Sequence, residues 1–177
     1  MSLEIYIGPM FAGKTTKMIY MVLENQSNDK IAIDYQEKDD ICIRKLCNHN
    51  NIALENVYST KYLEKLWKED NTMVRSKHVY INECQFFTDL KPFVLECLKQ
   101  EKNVYLFGLD GDFRQNTFGQ TMELIPFCNH LEKITGICQN CNNDSVISYR
   151  KTENQELYLL DSTCYIPLCL LCYKNML

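Results

Sequence analysis

The chain has 177 residues, of which 24% are charged and 46% hydrophobic, and a formal net charge of −4. That length suits one domain with a sizeable core and a small appendage, and the composition excludes a disordered chain. Net acidity without a dense Lys/Arg run weighs against a duplex-binding footprint and against nucleic-acid partners, while leaving room for a small phosphorylated ligand held by local backbone N–H groups.

No apolar run approaches about 18 residues, so no membrane span is expected. Met1, Ser2, Leu3 and Glu4 lack the basic and apolar regions of a signal peptide. The expectation is a cytoplasmic protein. Its ten cysteines then stay reduced, and clustered cysteines point to metal before disulfides.

In chain order, Leu3, Glu4, Ile5, Tyr6 and Ile7 form a short β-rich run. Gly8, Pro9, Met10, Phe11, Ala12, Gly13, Lys14, Thr15 and Thr16 follow and fit G-x-x-x-x-G-K-[ST], the phosphate-binding P-loop pattern. Residues 14–25 contain no Gly or Pro and place Met18, Met21 and Val22 at helical spacing. Strand, loop and helix start set the helix N-terminus against an anion. In this pattern backbone N–H groups cradle phosphates, Lys14 adds a point charge at the β/γ-phosphates and the Thr15 hydroxyl ligates Mg²⁺.

Residues 31–35 read as a second strand, and residues 36–51 as a polar, irregular loop with an acidic pair at Asp39 and Asp40. Residues 52–57 suggest another short strand. Ser59 reads as the N-cap of a helix through Glu69, with Leu63, Leu66 and Trp67 on one core-facing side. Residues 78–81 form a strand that runs into Asn82, Glu83, Cys84, Gln85, Phe86 and Phe87. A helix starts near Thr88 or Asp89 with Pro92 in its first turn. Residues 104–107 form the next strand, ending in Gly108, Leu109, Asp110, Gly111, Asp112 and Phe113. Alternation of this kind predicts an α/β fold, an open and mostly parallel sheet with helices on both faces and its site at the strands' C-terminal ends.

The character changes near residue 131. Cys138 with Cys141, and Cys169 with Cys172, make two C-x₂-C knuckles, a donor set for a four-cysteine Zn²⁺ site. The gap between them exceeds the commonest ribbon spacing, so a long excursion loop is expected, flanked by β-like runs at 145–150 and 156–160. Cys42, Cys47, Cys84, Cys97, Cys128 and Cys164 have no partner spacing and read as small buried or half-buried residues.

A P-loop holds a nucleoside triphosphate, and a second strand delivers an acidic group toward its Mg²⁺. Here that strand end carries Asn82 and then Glu83, which suits a general base for a hydroxyl or water. Phe86, Phe87 and Phe113 lie after strand ends, where an aromatic ring can stack on a flat base.

The P-loop, the run 82–87, the run 109–113 and the paired knuckles, in this order, resemble the thymidine kinases of the animal-cytosolic, bacterial and poxvirus type. The resemblance runs from Glu4 to Tyr173, and the chain's ending is most similar to the poxvirus branch. It implies a RecA-like P-loop domain over residues 1–133 and a zinc-ribbon subdomain over 134–177 that carries a lasso loop. It implies transfer of the γ-phosphoryl of ATP to the 5′-hydroxyl of thymidine in deoxynucleotide salvage. Glu83 is then the base, Lys14 and the loop amides hold the donor phosphates, and Thr15 faces Mg²⁺. Met10, Leu109, Phe113, Phe86, Ser148 and Tyr165 line the thymine pocket, with Tyr165 closing from the lasso around 160–166. Gln85 and Asp39 fix the sugar and phosphate side, and Arg150 lies near the phosphates. The Zn²⁺ is structural. A homotetramer, feedback by dTTP and a cytoplasmic location, the host's if the chain is viral, are further implications.

Against that pattern Asn82 stands where the family usually has Asp, Cys84 where it has Gly, and Leu160-Asp161 where it has Gly-Gly. No Arg follows Asp39, with Arg44 nearby but unaligned, and Ser148 replaces Thr. Asn82 is expected to weaken Mg²⁺ binding unless another carboxylate supplies the charge, with Asp110 the best placed. The alternatives are a P-loop ATPase or GTPase switch, a zinc-ribbon nucleic-acid module that uses ATP, and a degenerate, inactive kinase homologue. No N-K-x-D motif supports a GTPase, and the acidity opposes the nucleic-acid module.

Overall fold

The structure, a computed structural model, describes residues 1–48, 51–159 and 161–176. The main body is a seven-stranded sheet. Its strands are β1 (Ser2–Ile7), β2 (Lys30–Tyr35), β3 (Cys42–Cys47), β4 (Ala53–Thr60), β5 (His78–Ile81), β6 (Asn103–Gly108) and β7 (His130–Lys133). Their order across the sheet is β3-β4-β2-β5-β6-β1-β7, parallel throughout except for β3, which pairs antiparallel with β4.

Period-two alternation sorts the strand side chains onto two faces. Leu3, Ile5, Ile7, Ile31, Ile33, Val79, Ile81, Val104 and Leu106 join one core cluster. It is covered by α2 (Glu64–Glu69), α3 (Asn71–Arg75) and α4 (Leu90–Lys99) through Leu66, Met73, Leu90, Phe93, Val94 and Cys97. Trp67 packs at this cluster's edge, its ring 5.8 Å from Phe93, as a core residue. Tyr6, Ala32, Val57, Tyr80 and Phe107 face the other way, against Met18, Ile19 and Val22 of α1 (Lys14–Glu24). Helices therefore cover both faces, and every parallel strand of the centre points its C-terminal end to one edge.

Three expectations are corrected here. Part of the stretch expected to be an irregular loop is β3, an edge strand whose residues are mostly exposed. Ser59 lies inside β4, fully buried, and does not cap a helix; α2 begins at Glu64, whose amide donates to the Asp89 carboxylate at 2.9 Å. No strand forms over residues 156–159. Leu160, the other end of that expected run, lies outside the described residues.

The C-terminal part is a small unit of its own. A short hairpin, β8 (Gly136–Ile137) with β9 (Asp144–Ser145), precedes a second, β10 (Ile147–Arg150) with β11 (Tyr165–Leu168), and α5 (Leu170–Lys174) closes the chain. Cys138, Ile147, Leu168 and Cys169 form its minimal core. All ten cysteines are free thiols, and Cys47, expected to be buried, is exposed. Among the described residues no helix is long and apolar enough to cross a membrane.

Candidate active site

The phosphate loop leaves β1 at Gly8, where a Cβ would lie 2.0 Å from the Ile134 carbonyl oxygen, so no side chain fits. Gly13 caps α1 with φ 84°, a left-handed turn that glycine makes without steric cost. The loop thus curls over the positive end of an 11-residue helix. Lys14 is buried and its Nζ donates to the Pro9 carbonyl at 2.6 Å. Burial pulls its pKa down, while the charges of Glu83 and Asp110 oppose that shift. The Met10 amide donates to Ser148 Oγ at 2.8 Å, which ties the loop to the C-terminal unit.

The ends of β2 and β5 lie side by side beneath this loop. Thr15 Oγ1 donates to Asn82 Oδ1 at 3.3 Å, and Asn82 Nδ2 donates to Asp34 Oδ1 at 2.9 Å. Glu83 follows with φ 49°, a conformation that costs a non-glycine residue about 1–2 kcal/mol. That turn aims its carboxylate into the cleft, where Gln85 Nε2 donates to it at 2.7 Å. Burial pushes the Glu83 pKa above the usual carboxylate value; Lys14 and Gln85 oppose the shift and Asp34 adds to it. The result is a half-buried carboxylate beside a buried ammonium, an arrangement suited to accepting a proton from a hydroxyl.

A cleft of ≈ 490 Å³ opens above these groups, within the range of small-molecule sites. Of the loop, Met10, Phe11, Gly13, Lys14, Thr15 and Thr16 line it; Gly8, Pro9 and Ala12 complete the turn. Phe86, Leu109, Phe113, Ser148 and Tyr165 line the same space together with Met10. Phe86 packs between Tyr35, Phe118 and Tyr158, with ring centroids 5.0, 5.4 and 4.8 Å away. Phe87 is core, 1% exposed, as it belongs to the first cluster.

The four knuckle cysteines converge. The Sγ atoms of Cys138, Cys141, Cys169 and Cys172 lie within 4.8 Å of one another, and Cys141 and Cys169 are 3.5 Å apart. Tetrahedral ligation with Zn–S bonds of about 2.3 Å sets sulfurs roughly 3.8 Å apart, so the donor set fits. Burial disfavours the Cys138 thiolate, but the backbone N–H groups of Cys169, Asn140 and Cys141 outweigh it and bring the thiol down to about 6.

The family described as Thymidine kinase matches residues 1–173. The chain belongs to the thymidine kinase family. A thymidine kinase of Amsacta moorei entomopoxvirus is 34% identical over 99% of both chains. One from Rabbit fibroma virus (strain Kasza) is 30% identical over 97% of this chain and 95% of its own. One from African swine fever virus (isolate Warthog/Namibia/Wart80/1980) is 28% identical over 98% of this chain and 89% of its own.

Within this thymidine kinase fold, five residues are placed otherwise than expected. Arg150 does not line the cleft. Its guanidinium donates to the carbonyls of Asn154, Glu156 and Leu157 and to the Tyr165 hydroxyl, and lies 3.5 Å over the Phe113 ring. It is a buried clamp on the excursion loop, with four hydrogen bonds already made. Asp39 is paired with Lys65 at 2.5 Å on the surface, outside the cleft. Gln85 is buried between the Glu83 carboxylate and the Leu109 amide, hydrogen-bonded to both, and does not line the cleft. Asp110 pairs with Lys133 at 2.7 Å, and the carboxylate that touches Asn82 is Asp34. Tyr165 begins β11 instead of riding a loop, and its hydroxyl accepts from the Leu159 amide at 3.0 Å.

The sequence reading missed Asp34, Asn48, Phe118 and Tyr158 as cleft residues. Asp34 carried the same signal as Asn82, a polar residue right after an apolar run. Asn48 carried none: it reaches Thr16 Oγ1, 2.8 Å away, from the end of the unforeseen edge strand.

Proposed function

We propose that the loop end of the cleft takes ATP, the aromatic end takes thymidine, and Glu83 is the base between them. Family membership gives the reaction: an ATP-dependent thymidine kinase. The thymidine 5′-oxygen attacks the γ-phosphorus, the bond from that phosphorus to the β,γ-bridging oxygen breaks, and ADP leaves. The 5′-OH proton passes to Glu83. The observation that carries this reading is the Glu83 carboxylate, turned into the cleft, held by Gln85 and facing Lys14 across it.

Lys14 and the amides of residues 11–16 hold the donor phosphates at the helix N-terminus. Thr15 and Asn82 present oxygens where Mg²⁺ travels with ATP, and the dication supplies charge neutralisation there. Met10, Leu109, Phe86, Phe113 and Tyr165 form the apolar walls for the base, with Ser148 beside Met10. The chain divides at 133/134 into the nucleotide-binding sheet and a zinc-binding lasso unit. Zn²⁺ on four cysteines is structural, since no ligand position stays open for chemistry. A homotetramer, inhibition by dTTP and a cytoplasmic location rest on family membership; sedimentation, dTTP titration and cell imaging read them. Incubating labelled deoxynucleosides with ATP and separating products by thin-layer chromatography tests the whole reading: a labelled thymidine monophosphate supports it, and ATP hydrolysis alone opposes it.

Two smaller predictions arise from this geometry. The acid limb of the rate profile belongs to Glu83, which must be ionised to accept the proton. Its raised pKa places that limb above the ordinary 4.5. The Gln85 hydrogen bond favours the ionised form, so Gln85→Met moves the limb to still higher pH; a limb that stays put or falls separates Gln85 from the base. At position 148, Thr keeps the oxygen that accepts from Met10 and adds a methyl to the wall. Ser148→Thr is expected to change the thymidine-over-deoxyuridine ratio of kcat/KM in favour of thymidine by up to about 1 kcal/mol. An unchanged ratio removes Ser148 from the base pocket.

A further inference from the structure

We propose that Asp34 is the negative pole of the metal site, acting as a positioning residue through the Asn82 amide. This rests on the reading above that a divalent cation enters with the nucleotide at Thr15.

The two residues are neighbours by register. Ile33 pairs with Ile81 in the parallel ladder, and the Asn82 amide donates to the Ile33 carbonyl at 2.8 Å. The next side chains, Asp34 and Asn82, therefore stand together at the ends of adjacent strands, both buried. An ionised carboxylate only accepts hydrogen bonds, so the group facing Asp34 Oδ1 at 2.9 Å must be the Asn82 NH₂. That fixes the amide's flip. Its oxygen is left facing Thr15 Oγ1 at 3.3 Å, the hydroxyl that the P-loop pattern assigns to the metal. Asn82 alone offers an oriented dipole without charge; Asp34 behind it supplies the charge and polarises the oxygen forward.

The pairing also explains why residue 82 is an amide. A carboxylate there would face Asp34 across a hydrogen-bond distance, and two like charges so close cannot both ionise. The charge sits one residue sideways, on β2, with the amide as its extension. The other charged groups facing Asp34 are Arg44, whose NH2 pairs with Oδ2 at 3.0 Å from the solvent side, and Glu83 on the cleft side. Arg44 is 43% exposed and also donates to the Tyr35 carbonyl. A half-exposed ion pair of that kind stabilises little and does not by itself account for a carboxylate buried against an amide. Asp110, the other candidate, is engaged by Lys133.

The test measures Mn²⁺ binding to the full chain with a non-hydrolysable ATP analogue, by the loss of the free-ion electron paramagnetic resonance signal. Asp34→Asn is expected to weaken Mn²⁺ binding by about 10–100-fold without weakening the metal-free analogue. Reversing the pair, Asp34→Asn with Asn82→Asp, puts the charge on the metal-facing position and is expected to bind Mn²⁺ within about threefold of wild type, or tighter, on the same scale. An Asp34→Asn protein that binds Mn²⁺ like wild type, or a reversed pair as weak as the single variant, overturns the proposal. So does failure of both variants to fold by circular dichroism, because the pair would then hold the sheet and not the metal. A wild-type chain that binds the analogue but takes up no more Mn²⁺ than the analogue does alone would instead overturn the reading of the nucleotide site on which this rests.

Discussion

Glu83→Gln is expected to lower kcat by roughly 10²–10⁴-fold with nucleotide affinity nearly unchanged. The amide keeps the size of the side chain and a hydrogen-bonding oxygen, and Gln85 still has an acceptor for its Nε2. What disappears is the capacity to take the 5′-OH proton as the new bond to phosphorus forms. The strained left-handed backbone at this residue is unchanged by the substitution, so the geometry of the cleft is retained. Loss of the negative charge also frees Lys14 of a neighbour that raises its pKa. Lys14 then remains buried without that partner, and ATP binding becomes more sensitive to alkaline pH. Steady-state kinetics beside equilibrium binding of ATP separate the two effects. A variant retaining more than about a tenth of wild-type kcat rules Glu83 out as the base.

Loss of one thiolate from the four-cysteine cluster is expected to act on the nucleoside and not on ATP. Cys169 closes the cluster and caps α5, its Sγ accepting from the Cys172 amide. It directly follows β11, whose first residue, Tyr165, holds the Leu159 amide and the Arg150 guanidinium. Those contacts fix the wall of the cleft formed by Leu157, Tyr158 and Leu159. Structural Zn²⁺ sites contribute folding free energy of about 10–16 kcal/mol in small peptides, and the minimal core of this unit has little to replace it. Cys169→Ser is therefore expected to raise the thymidine KM by about 10–100-fold before the KM for ATP moves. Metal analysis is expected to give one Zn²⁺ per chain in the wild type. Purified protein without zinc, with all four thiols titratable in the fold, contradicts this directly.

The centre of the fold was legible because its strands are buried on both sides. β1, β2, β5 and β6 alternate between two apolar faces, so their residues announce the strands. β3 and β7 sit on the sheet's edges, where Cys42–Cys47 and His130–Lys133 have few buried positions and therefore no apolar signature. Ser59 illustrates a different failure. Its residue type favours a helix cap, yet the group that meets the first amide of α2 is Asp89, which is distant in sequence. The turn at Gly13 and the four-cysteine cluster were legible because a tight loop and a converging donor set need fixed spacing. Arg150 was not, since its fate depends on carbonyls of the excursion loop that fold back over it. Asp34 and Asn82 are far apart in sequence and adjacent only through the parallel register of β2 and β5.

The most direct test supplies thymidine and ATP labelled at the γ-phosphate to the wild-type chain, with Mg²⁺ present, and follows the label. Transfer to the 5′-hydroxyl puts the label in thymidine monophosphate, one per ADP formed, and Glu83→Gln slows it by roughly 10²–10⁴-fold. Label recovered only as inorganic phosphate, with thymidine unchanged, would contradict a cleft built to join a nucleoside hydroxyl to the γ-phosphoryl group.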